Sequence, residues 1–170
     1  RGVAFTNNTS FGNGGALKVL GGSLTIDGAT FTGNTGPGLG GAIYLGHTRV
    51  DARGIVAENN GVGEVQPDGS IVFTTLGGGA IYTDSVRGRI DASRFVNNTA
   101  SFGGAIYVAG SRALELTNTL VTGSLTGLGA IYANASTPII ANCTIVDNDD
   151  WGLFTTRGGA PTVRNSVFSG

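Results

Sequence analysis

The pentapeptide Gly40-Gly41-Ala42-Ile43-Tyr44 returns almost letter for letter as Gly78-Gly79-Ala80-Ile81-Tyr82 and Gly103-Gly104-Ala105-Ile106-Tyr107. Looser copies stand at Gly14-Gly15-Ala16-Leu17-Lys18 and Gly129-Ala130-Ile131-Tyr132, and a worn one at Gly152-Leu153-Phe154-Thr155. A tag that recurs like this marks a repeat array, in which each unit buries its apolar face only against its neighbours. A second tag precedes each copy: an apolar residue followed three positions later by Asn. It reads Phe5…Asn8, Phe31…Asn34, Val56…Asn59, Phe95…Asn98, Val121…Ser124 and Ile145…Asn148, and Phe168 begins another. The gaps between these apolar positions are 26, 25, 39, 26, 24 and 23 residues, so the period is about 25. A third segment follows each glycine tag, at Leu24-Thr25-Ile26, Arg49-Val50-Asp51, Arg89-Ile90-Asp91, Leu114-Glu115-Leu116, Ile139-Ile140 and Thr162-Val163.

All three segments are short and β-branched or aromatic, and they alternate apolar with polar between Gly, Asn, Asp and Ser turns. That is the pattern of strands, and no window carries a helical stripe. A leucine-rich repeat has a similar period but needs a leucine–asparagine consensus that is missing, and a propeller blade needs about 40 residues. Three short strands per 25-residue turn make a single-stranded parallel β-helix, about six coils over residues 1–170, read as one segment of a longer solenoid.

Stacking coils one strand spacing apart, about 4.8 Å, sets like residues over one another. The expected inner columns are Phe5, Phe31, Val56, Phe95, Val121, Ile145 and Phe168; Leu17, Ile43, Ile81, Ile106, Ile131 and Phe154; and Ile26, Val50, Ile90, Leu116, Ile140 and Val163. The glycines supply backbone conformations and close approach at a corner, and Asn118, Asn142 and Asn165 supply left-handed turns.

The paired tags Phe-x-x-Asn and Gly-Gly-Ala-Ile resemble the repeats of chlamydial polymorphic outer membrane proteins and, more broadly, right-handed β-helix passengers of bacterial surface proteins. The resemblance spans essentially the whole chain. It implies a right-handed solenoid shown on a cell surface or secreted, and adhesion to a glycan or a surface protein.

Composition narrows the partners. A net charge of -1 gives no basic field for phosphate, which excludes nucleic acid. No apolar run is long enough to span a bilayer. The lone Cys143 falls in line with core positions and reads as packing. No motif calls for a cofactor.

Three places are left for function. Tyr44, Tyr82, Tyr107 and Tyr132, the only tyrosines, hold one position in four consecutive coils. Period-two alternation with Ile43 and Leu45 inward sends them outward, with Lys18 and Thr155 at the equivalent positions. Such a row offers rings to sugars or a partner protein; it also serves the sheet itself through cross-strand pairing. The second place is the long coil, whose excess lies in residues 61–76. There Gln66-Pro67-Asp68-Gly69 is a turn sequence between apolar residues, so a projecting hairpin presenting Gln66 and Asp68 is expected. Third, Arg49-Val50-Asp51 and Arg89-Ile90-Asp91 are expected at one register, Arg over Arg and Asp over Asp. Pectate-lyase-type β-helices, which the fold resembles, place clustered carboxylates, calcium and an arginine on an outer face, so Arg49, Asp51, Arg89 and Asp91 are the candidates if the chain is an enzyme. A salt-bridged solvated face is the alternative. Asp147-Asn148-Asp149-Asp150 lacks the glycine-nucleated loop and distal Glu of a calcium site, and no metal is assigned to it. The expected function is a non-enzymatic surface scaffold. A polysaccharide-acting enzyme and a stalk unit whose coils stack end to end are the alternatives.

Overall fold

The computed structural model describes residues 2–66, 71–73 and 76–170. It is a right-handed parallel β-solenoid of about six turns, without a helix among the described residues. No helix there is long and apolar enough to cross a membrane.

Each coil repeats the same path. A strand of the first sheet, such as Arg87–Asp91, bends into a second strand, such as Arg94–Val96. A short third segment such as Thr99–Phe102 follows, and then a strand such as Ile106–Ala109. Coil on coil, these give an 11-stranded sheet bent along its length, a small sheet, and a six-stranded sheet that carries the tyrosines. In the early coils the bend lies within the single strands Ser23–Thr32 and Arg49–Glu58, at Gly28 and Gly54 with φ of 71° and 66°. Later coils make it with Ala92, Asn118, Asn142 and Asn165, all left-handed with φ between 46° and 55°. Asn takes that conformation at low cost.

In register, the inner columns follow the expectation except in three places, all explained by one-residue or two-residue shifts; Val163 and Phe168 keep their register opposite Ile140 and Ile145 but are exposed. Phe31 is opposite Ala57, which is opposite Phe95, so Ala57 and not Val56 lies inward. Ile26 is opposite Ala52 and Ala52 opposite Ile90, so Val50 belongs instead between Leu24 and Gly88. Ile131 is opposite Leu153, which leaves Phe154 opposite Tyr132 on the outer face. In the first case the sequence offers a larger apolar neighbour, but the interior takes the small one; in the second, Val50 and Ala52 both face in and only their register differs. Phe31 and Phe95 are fully buried, and an alanine between them keeps the layer at native density. Phe5 and Phe31 stack at 4.7 Å between centroids and 4° between planes, extending that column.

The same shift moves the asparagine. Asn59 is an exposed corner residue with φ of 56°, and Asn60 is the buried one. Asn8, Asn34, Asn60 and Asn98 form a ladder through the solenoid. The amide nitrogen of Asn34 donates to Oδ1 of Asn60 at 2.9 Å, and that of Asn60 to Oδ1 of Asn98 at 3.0 Å. Backbone N–H groups of Asn34 and Asn60 reach the same two oxygens. The ladder resumes where the backbone N–H of Ser124 donates to Oδ1 of Asn148 at 3.0 Å. Between them Ser124 stands in an asparagine position, and its buried Oγ has no hydrogen-bond partner. Replacing Ser124 by Asn restores the missing rung and is expected to raise the unfolding free energy by about 1 kcal/mol, read as a higher urea midpoint at unchanged slope.

Cys143 occupies a corner position equivalent to Ser93 and Thr119. Its Sγ donates to the carbonyls of Ala141 and Leu116 at 3.3 and 3.4 Å, and burial pushes the thiol pKa up. A thiol held protonated and buried is packing, as its alignment indicates.

Candidate functional site

The six-stranded sheet turns two columns outward. One is Lys18, Tyr44, Tyr82, Tyr107, Tyr132 and Phe154; the other is Leu20, Gly46, Asp84, Ala109, Asn134 and Thr156. Ile43 and Leu45, on either side of Tyr44, are each 1% exposed, which fixes the alternation. Thr155 lies one residue beyond the ring column, opposite Ala133. The rings stack in sequence, with centroids 5.5 Å apart for Tyr44–Tyr82, 4.8 Å for Tyr82–Tyr107 and for Tyr107–Tyr132, and 5.6 Å for Tyr132–Phe154. Trp151 closes one end on Phe154 at 4.8 Å, and the Lys18 ammonium lies 5.8 Å from the Tyr44 centroid at the other. Sequence reading missed Phe154 and Trp151 as members. The signal was there in Leu153-Phe154, where two adjacent apolar residues cannot both face in.

Stacking of this kind uses the ring faces on one another. The tyrosines are therefore half-buried rather than open, and Tyr132 is 8% exposed. What they present outward is edges and hydroxyls. The hydroxyls divide the ladder in two. Asn134 Nδ2 donates to the Tyr107 oxygen at 2.7 Å, and the Tyr132 and Thr156 hydroxyls share a hydrogen bond of 3.1 Å. Among the described residues the Tyr44 and Tyr82 hydroxyls have no such bond, and Asp84 lies near them. Burial, with the Asp84 carboxylate adding to it at Tyr44 and Tyr82, raises the pKa of both phenols. They stay neutral donors. Lys18, Tyr44, Tyr82 and Asp84 thus form a strip of cation, two free hydroxyls and a carboxylate over a rigid aromatic base.

The long coil leaves the small sheet as Gly61–Val65, which pairs antiparallel with Ile71–Phe73. Gln66 is half-buried at the end of the first strand, and Asp68 lies outside the described residues.

On the bent sheet the charges are arranged otherwise than by tag. The register is shifted by two, so Asp51 is opposite Arg89 and Arg53 opposite Asp91, while Arg49 is opposite Arg87. Arg89 in turn is opposite Glu115. Arg49, Asp51, Arg89 and Glu115 line an open groove of about 480 Å³. Asp91 is not part of it. It is 7% exposed, and its Oδ1 accepts from Thr117 Oγ1 and Asn118 Nδ2, both at 2.7 Å. These two hydrogen bonds, Thr117 first, lower its pKa against the opposing effect of burial, with Arg89 and Arg53 assisting. A carboxylate whose folded pKa is depressed contributes stability above its unfolded pKa, and that contribution is lost as the pH falls through the folded value. The wild-type protein is expected to lose stability as the pH drops from about 4, and Asp91→Asn, which keeps both acceptor contacts, is expected to flatten that loss in urea titrations.

Residues 47–170 match the family described as the right-handed beta helix region. The chain belongs to that family. Residues 28–46 of this β-helix, which contain the Phe31…Asn34 and Gly40-Gly41-Ala42-Ile43 tags, match the Chlamydia polymorphic membrane protein repeat. No curated protein and no solved structure matches the chain.

Proposed function

We propose that this β-helix is a non-enzymatic recognition module of the passenger type, carried on a bacterial outer surface, and that it binds glycan along Lys18, Tyr44, Tyr82 and Asp84. The polymorphic membrane protein repeat supports the setting. The observation that carries the binding reading is the unequal ladder: the Tyr107 and Tyr132 hydroxyls are bonded to the sheet's own side chains, and the Tyr44 and Tyr82 hydroxyls are not. Neutral phenol donors beside a carboxylate acceptor and an ammonium suit the hydroxyls of a sugar chain. Affinity then comes from many modest contacts on a surface that needs no ordering. Tyr107 and Tyr132 continue this strip, and Gln66 and Asp68 of the long coil complete the proposed partner-binding set. Wild-type protein on a glycan array is expected to show binding that a Tyr82→Ala/Tyr107→Ala double variant loses; equal binding by the two removes the ladder from the account.

One observation favours a polysaccharide-acting enzyme as a second reading. Asp51 and Glu115 sit two strands apart with Arg89 between them. That is a separation of about 9.6 Å along the sheet, close to the upper end of carboxylate spacings in inverting glycosidases. Release of reducing ends from a polyuronate, abolished in Arg89→Ala, establishes that reading; its absence across a polysaccharide panel leaves recognition alone.

A further inference from the structure

Three different chemistries meet at Gly46 on the outer face of the tyrosine sheet. Leu20 and Asp84 are its partners on the two neighbouring strands. A Cβ added to the glycine would lie 2.8 Å from Leu20 Cδ2, 3.2 Å from Tyr44 Cε1 and 3.6 Å from the Tyr44 hydroxyl oxygen. The Leu20 side chain, although 65% exposed, therefore leans over Gly46 from one strand, and the edge of the Tyr44 ring closes in beside it. On the opposite strand Asp84 Oδ1 accepts from the Ser85 hydroxyl at 2.9 Å, and among the described residues the carboxylate has no ion-pair partner. Gly46 has no positive φ, so its backbone does not call for glycine. What the missing side chain provides is a shallow floor, bordered by an apolar methyl, a phenol donor and a carboxylate acceptor.

We infer that this floor seats the acetamido group of an N-acetylated amino sugar, its methyl over Gly46 against Leu20, its N–H donating to Asp84 and its carbonyl accepting from the Tyr44 hydroxyl. An acetamido group carries one apolar end, one donor and one acceptor, and each has its counterpart here. A plain hexose brings hydroxyls for Tyr44 and Asp84 but leaves the Leu20 methyl against water. A 6-deoxy sugar brings a methyl and no amide. A sugar acid sets its carboxylate beside that of Asp84, and a free amino sugar exchanges the methyl for an ammonium. The inference deepens the glycan-recognition reading and rests on it. Tyr44 and Asp84 are common to both, whereas Leu20 and Gly46 enter as the residues that decide which sugar is taken.

The test titrates the full chain with oligosaccharides of equal length built from glucose, N-acetylglucosamine, glucosamine and rhamnose, followed by backbone amide shifts in NMR. The N-acetylglucosamine oligomer is expected to bind at least about tenfold tighter than the glucose oligomer, the worth of one hydrogen bond together with one sheltered methyl, and to shift Gly46. Leu20→Ser is expected to bring the two affinities within about threefold of each other while leaving that for glucose unchanged. Gly46→Ala, whose added methyl meets only the movable ends of the Leu20 and Tyr44 side chains, is expected to do the same. Leu125→Ser, at a leucine 54% exposed on the small sheet, is expected to keep the preference. Equal affinity for the glucose and N-acetylglucosamine oligomers, tighter binding of the glucosamine or rhamnose oligomer, or an undiminished preference in Leu20→Ser overturns the inference. If glucose and N-acetylglucosamine oligomers bind equally and Tyr44→Phe/Tyr82→Phe weakens both, the inference falls and the recognition reading stands. No binding of the N-acetylglucosamine oligomer also overturns the inference, and a blank glycan array removes the recognition reading with it.

Discussion

Asn60→Ala is expected to cost about 3–5 kcal/mol of folding free energy, more than any surface change in this chain. The side chain is 1% exposed and sits in mid-ladder. Its Nδ2 donates to Phe31 O at 2.9 Å and to Asn98 Oδ1 at 3.0 Å. Its Oδ1 accepts from both the backbone and the side-chain nitrogen of Asn34, each at 2.9 Å. Truncation leaves donors of Asn34 and the Phe31 carbonyl buried without partners. Each such orphan costs about 1–3 kcal/mol, and the vacated volume adds to it. The neighbouring Asn59→Ala is the control. Asn59 is exposed and left-handed, so only backbone strain of about 1 kcal/mol is at stake. Urea midpoints of the two variants, at equal slope, give the comparison; similar losses would mean that the ladder does not hold the coils together.

Gly79→Ala is expected to be as damaging, about 3–5 kcal/mol or failure to fold, although it adds one methyl group. A Cβ at this position would press on the Gly104 carbonyl oxygen and lie 2.6 Å from the Thr99 nitrogen and 2.7 Å from its oxygen. All three belong to backbone, so no side chain can swing aside. Gly41 is in the same situation against the backbone of Gly79 and Gly61. At Gly12 a Cβ has no atom within 4 Å and φ is not positive, so Gly12→Ala is expected to be neutral or to stabilise by about 0.4–1 kcal/mol through the unfolded chain. Thermal unfolding of the two variants measures the contrast. A tolerant Gly79 would show that the glycine tag serves something other than close approach.

These two positions also show how far the sequence reading reached. The tags gave the solenoid, its period and its inner columns, because a stacked coil prints its own spacing in repeated letters. The role of the glycine tag as a corner was legible for the same reason. Val56, Val50 and Phe154 were misplaced where two apolar residues adjoin or lie two apart. Periodicity alone then cannot choose which faces in, and a one-residue slip turns every side chain over. At the Phe31 column the choice was made by volume, with Ala57 between Phe31 and Phe95, whereas Val50 and Ala52 both face in and only their register separates them. The charged face suffered most from this, because the shift of two that places Asp51 beside Arg89 exchanges columns of like charge for columns that alternate, apart from Arg49 and Arg87. Glu115 entered the groove in place of Asp91 as a result. The tyrosine column was visible, but the division of its hydroxyls was not. That depends on Asn134 and Thr156 in the next column, two residues away along each strand, and on which of them reaches a ring in the coil beside it.

The most direct test of recognition at the tyrosine sheet deletes hydroxyls and keeps rings. Tyr44→Phe/Tyr82→Phe removes two unbonded hydroxyls and leaves the stack of 5.5 Å intact, and Tyr107→Phe/Tyr132→Phe removes the two that are bonded within the sheet. Glycan binding by the first double variant is predicted to fall at least about tenfold, the value of one or two lost hydrogen bonds. Binding by the second is predicted to stay within about threefold of wild type. Equal losses in the two variants, or no loss in the first, would contradict the account.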